Sequence, residues 1–165
     1  MRTTYRVLAG LIAVLVVVQA TLIVWSIAGL FYWIDEGETL DKQVVKGWEE
    51  EPPTFEGAIG HFLHAFVIGG GGGPLPTGVG LIPLAGLLLL IVSFFAKVPR
   101  GVALAAAVAA SIVIQILAGI FAEPEMPYLG LVHGLNAFIL FGLSLAAAKA
   151  AKNAGTTQPA TAPAV

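Results

Sequence analysis

His61, His64 and His133, with Gln19, Gln115 and Asn136, are nitrogen-bearing side chains set within long apolar runs of this chain. An imidazole in such a place is a ligand for haem iron or a divalent metal, or a hydrogen-bonding link between helices. The histidines are not scattered. His61-Phe62-Leu63-His64-Ala65-Phe66 aligns with His133-Gly134-Leu135-Asn136-Ala137-Phe138, identical at four of six positions, with His64 opposite Asn136. Upstream of each copy lies an apolar run with one glutamine, Val17-Val18-Gln19 in one case and Val113-Ile114-Gln115 in the other. The unit is an apolar span with Gln, an outer loop, then an apolar segment beginning with His, used twice. A duplication of this kind puts two helical hairpins around an axis along a membrane normal.

Three chemical readings follow. In the first, one imidazole from each hairpin ligates haem b for electron transfer, with His61 and His133 as the favoured pair and His64 as rival to His61. Haem propionates would then find only Lys42 and Lys46 as cations on that side, a thin supply. In the second, His61, His64 and His133 hold a divalent metal with an oxygen from Glu56, although an i, i+3 histidine pair suits one metal less well than i, i+4. In the third, the histidines join Gln19, Gln115 and Asn136 in hydrogen bonds between helices, each worth about 0.6 kcal/mol. The chain is then a non-enzymatic membrane subunit or accessory protein. Gly130 and Gly134 flank His133 as a small-xxx-small pair and would let a neighbouring backbone come close.

Other chemistry is excluded. The chain has no cysteine, so it has neither thiolate ligands nor thiol catalysis. No Ser-His-Asp arrangement and no G-x-x-x-x-G-K-[ST] phosphate loop occurs. Without a basic, aromatic-interleaved patch, nucleic acid is not an expected partner.

The elements that must position these residues are membrane spans. Of 165 residues, 58% are hydrophobic and only 11% charged, against about 25% charged in soluble domains; mean hydropathy is +0.91. A crossing helix needs about 20 apolar residues. Four stretches qualify, at about 7–34, 79–96, 102–122 and 128–148. The first is too long for a signal-peptide core and reads as an uncleaved anchor, with Phe31, Tyr32 and Trp33 as an interfacial belt. Residues 58–68, before Gly69–Gly73 and two prolines, read as a short interfacial or re-entrant helix, or as the top of a broken second span.

Charge sets the orientation. Arg2, Arg6, Lys97, Arg100, Lys149 and Lys152 share one side, and only Lys42 and Lys46 lie on the other with all ten acidic residues. By the positive-inside rule the first side is cytoplasmic. The expectation is an all-α, four-transmembrane-helix bundle of two hairpins, spanning 1–152, with both termini cytoplasmic. The loop 35–57 is extracytoplasmic, and 153–165 is a disordered cytoplasmic tail. The location is the plasma membrane, multi-pass. The partners are the lipid bilayer and a membrane-protein partner or a second copy.

The segments 87–100 (LLLLIVSFFAKVPR), 113–119 (VIQILAG) and 131–143 (LVHGLNAFILFGL) resemble an uncharacterised family of small actinobacterial four-helix integral membrane proteins. The resemblance runs over most of 80–149, plus 16–19. It implies the four-helix topology and a histidine at the outer start of the second and fourth spans, matching His61 or His64 and His133. The stretch 69–80 departs from that pattern as an insertion. More distantly, histidines so placed are similar to those of haem-A synthase halves and four-helix b-type cytochromes, an analogy of arrangement only.

Overall fold

A computed structural model describes residues 1–37, 39, 80–121, 126 and 128–156. The described residues are all-helical, 87% helix with no strand. Four helices are seen: α1 Arg2–Asp35, α2 Leu81–Ser93, α3 Gly101–Phe121 and α4 Leu129–Thr156. Three of them are long and apolar enough to cross a membrane, over Arg2–Gly29, Gly101–Phe121 and Leu129–Gly155. The segment 58–68, the loop 38–57 apart from residue 39, His61 and His64 lie outside the described residues.

The helix lengths differ from expectation in instructive ways. α1 has 34 residues, about 51 Å at 1.5 Å per residue, so it must tilt in or project from a ~30 Å hydrocarbon core. Among the described residues α2 has 13 residues, about 20 Å, within the 79–96 expected as a full span. Its end has a local cause. Ser93 Oγ donates to the Leu90 carbonyl, Phe95 N–H reaches back three residues to Val92 O, and Lys97 then takes a left-handed backbone with φ of 51°. Pro83, in the first turn of α2, costs no hydrogen bond there. α4 passes the expected end at 148 and continues to Thr156, because its alanine-rich stretch from 146 favours helix strongly. The expected tail therefore loses 153–156 to the helix, and 157–165 lie outside the described residues.

The chain divides into two compact units, Met1–Val16 with Ile82–Val165, and Val17–Leu81. Within the first, α3 and α4 pack closely. They run antiparallel, since Ser111 bonds to Asn136 while Gln115, four residues on, bonds to His133, three residues back. A Cβ placed on Gly86 of α2 would collide with the Ile112 side chain of α3, so these two residues are in contact. The first turns of α1 are fastened to the start of α3 by Tyr5, wholly buried, whose hydroxyl donates to the Gly101 carbonyl at 2.9 Å. Tyr5, Ala9, Ile12, Ala13 and Val16 form the buried stripe of α1, at the spacing of one helix face. In the second unit the described residues are the rest of α1 and its end. There Gln19 is buried and Phe31 and Tyr32 are exposed.

Candidate functional site

The polar cluster of the first unit is built on two helical strips. On α3, Ser111, Gln115 and Gly119 recur every four residues and so share one face. On α4, His133 and Asn136 are three apart and also share a face. Antiparallel packing brings the strips together at one level.

Asn136 is the hub. Its Nδ2 donates to the Ser111 carbonyl at 2.8 Å and to Gln115 Oε1 at 2.7 Å. Its Oδ1 accepts from Ser111 Oγ at 3.0 Å. With 5% of its surface exposed, it satisfies both amide hydrogens and one acceptor site inside the helix pair. Buried amides in apolar surroundings must be paired in this way or carry a desolvation cost.

His133 is half-buried one helical turn nearer the start of α4. Its Nδ1 lies 3.0 Å from the Gln115 carbonyl. A carbonyl only accepts, so Nδ1 carries the proton, and in the neutral ring Nε2 keeps its lone pair. Gly119 makes the approach possible. A Cβ there would stand 3.3 Å from His133 Nδ1 and 3.4 Å from Cε1, tighter than ordinary contact. The close approach expected at Gly130 and Gly134 is therefore made on the facing helix. Among the described residues nothing lies within 4 Å of a Cβ built at either of those two glycines.

Two buried polar atoms of α3 and α4 stand out against this pairing. Gln115 Nε2 and Ser144 Oγ have no hydrogen-bond partner among the described residues, although Gln115 is only 6% exposed and Ser144 wholly buried. Gln115 thus uses its backbone oxygen for His133 and its side-chain oxygen for Asn136, and holds two amide hydrogens in reserve.

Of the residues singled out by sequence, the structure brings together His133, Asn136 and Gln115. Gln19 is buried in the other unit, and His61, His64 and Glu56 lie outside the described residues. Ser111 and Gly119 went unnoticed in the sequence, although the i, i+4, i+8 spacing with Gln115 marks them as one strip. Among the described residues, no three His, Asp or Glu side chains gather as a metal site. What the cluster offers chemically is one imidazole whose Nδ1 is held on a backbone carbonyl, with no partner for Nε2 among the described residues. No protein-family model matches the chain, and comparison with curated proteins and with solved structures finds no match. The family resemblance therefore stands on its three sequence segments alone.

Proposed function

We propose that this chain is a multi-pass membrane protein of four crossing helices, acting as a non-enzymatic subunit or accessory protein, with its Ser111–Gln115–His133–Asn136 cluster serving as a clasp. Both termini and the turn after α2 lie on the cytoplasmic side in this reading, with the loop 35–57 outside. It is supported by six of the eight Lys and Arg residues falling at helix ends of one sense. The observation that carries the clasp is the reciprocal bonding of Asn136 with Ser111 and Gln115. An amide so used is committed to joining the two helices.

A second reading has its own support. A metal-bound histidine commonly donates its other ring nitrogen to a backbone carbonyl, which orients the ring and raises its basicity. His133 on the Gln115 carbonyl fits that habit, so His133 Nε2 is the ligand for haem b or another metal, with His61 or His64 as the partner. The bound group would supply redox or Lewis-acid chemistry. This chain's own part is to hold the imidazole still and keep its proton on Nδ1.

One experiment separates the two. Reduced-minus-oxidised absorption spectra are recorded on the detergent-purified protein and on His133→Ala, before and after haem reconstitution, beside unfolding curves of Asn136→Ala. Flat spectra with a destabilised Asn136→Ala protein support the clasp alone. Sharp Soret and α bands that vanish in His133→Ala support the haem reading.

A further inference from the structure

One end of the first unit is strongly and uniformly positive. Tyr5 ties the start of α1 to Gly101, which places Arg2 and Arg6 beside the turn that carries Lys97 and Arg100. The antiparallel register brings α4 to the same end. From Ser111 back to Gly101 is about 15 Å of helix, and from Asn136 forward to Lys149 about 20 Å, so Lys149 and Lys152 lie just past the start of α3. Six cations therefore gather at one end, and the described part of this unit contains no Asp or Glu.

The turn after α2 presents its charges outward. Ala96 and Val98 are buried, while Lys97, Pro99 and Arg100 are exposed. Lys97 and Arg100 both occupy left-handed backbone, with φ of 51° and 57°, a region where glycine is the natural residue. Phe94 and Phe95, each 64% exposed, stand immediately before them. α1 and α3 begin here while α2 and α4 end here, so the helix dipoles largely offset one another and the positive field comes from the side chains. Nε of Arg2 is buried with no partner among the described residues.

We propose that this end binds the phosphate headgroup of an anionic phospholipid, with Lys97, Arg100 and Arg2 on the phosphate and Phe94 and Phe95 against the acyl chains. The occupant follows from complementarity. A phosphodiester supplies the missing negative charge, and its attached chains cover the exposed rings, which a free anion cannot do. The inference rests on the reading that these helices cross a bilayer, and successful reconstitution into nanodiscs tests that reading separately.

The backbone provides a clean variant. Lys97→Gly with Arg100→Gly removes two charges at positions whose φ suits glycine, so folding is preserved or improved. The full-length protein and this variant are incorporated into nanodiscs of phosphatidylcholine containing graded phosphatidylglycerol, and headgroup contact is read by phosphorus NMR line broadening. In detergent, unfolding midpoints are measured with phosphatidylglycerol, phosphatidylcholine or inorganic phosphate added. Wild type should be stabilised by phosphatidylglycerol only, and the double variant should respond with about 30-fold weaker apparent affinity at an unchanged or raised lipid-free midpoint. Equal responses to the two lipids, a full phosphatidylglycerol response in the variant, or an equal effect of inorganic phosphate would each overturn the proposal.

Discussion

The two halves of the α3–α4 pair are held by different physics. Toward the end of α3, Ser111, Gln115, His133 and Asn136 join through four hydrogen bonds that cross between the helices. Toward its start the buried residues are Gly101, Ala105 and Val108 on α3, and Ser144, Ala147 and Ala151 on α4. There the buried residues are mostly small and non-polar, the kind that lets helices associate where lipid removes the hydrophobic driving force. The polar half gives direction and register, because Asn136 fits only where Ser111 and Gln115 present their atoms. The small-residue half gives contact area and tolerates sliding, but leaves no room for growth. Ser144, wholly buried and with no partner for its hydroxyl among the described residues, is present in that half as a small residue.

Four substitutions test this division, read as loss of unfolding free energy in detergent titrations. Ala147→Leu forces three extra carbons into a fully buried position and should cost about 3 kcal/mol. A loss under about 0.5 kcal/mol would mean that the small-residue half is loosely packed. Asn136→Ala removes the hub and strands Ser111 Oγ and Gln115 Oε1, for a loss of about 2 kcal/mol. Were it to exceed Ala147→Leu, the ranking of the two halves would reverse. Gly119→Ala pushes a methyl toward the His133 ring and should cost about 1 kcal/mol. Its sharper readout is the nitrogen NMR shift of His133 Nδ1, which moves only if the bond to Gln115 is disturbed. Tyr5→Phe deletes one buried hydroxyl bond, from α1 to the Gly101 carbonyl at the edge of the small-residue half, for about 0.6 kcal/mol. Its effect should add to that of Asn136→Ala, since the two share no partner.

Much of this architecture is legible in the sequence because span length is a strong signal. Uninterrupted apolar stretches announce α2 and α3 within a few residues, while α1 starts five residues earlier and α4 ends eight residues later than expected. The turn that follows α2 is hidden, because nothing in the residue types of Lys97 and Arg100 announces positive φ. The site is half legible. His133, Gln115 and Asn136 declare themselves as polar groups in apolar runs. Their common level follows from the antiparallel order of α3 and α4. Ser111 and Gly119 are hidden because serine and glycine are frequent in such helices, and only the choice of facing strip gives them meaning. Gly130 and Gly134 have the spacing of a close contact, and among the described residues the close approach to His133 is made at Gly119 instead.

The bond from Tyr5 to Gly101 spans 96 positions of sequence, and this has a consequence in time. A chain synthesised at about 5–20 residues per second emerges with α1 roughly 5–20 seconds before the start of α3 exists. During that interval the buried stripe of α1, from Tyr5 to Val16, has no partner from α3 and must face lipid or the insertion machinery. Tyr5 brings a hydroxyl into that wait. Near the end of its helix it can remain at the water interface, where a tyrosine is at home, until Gly101 arrives and draws it in. α1 is thus fastened only once the start of α3 has been made.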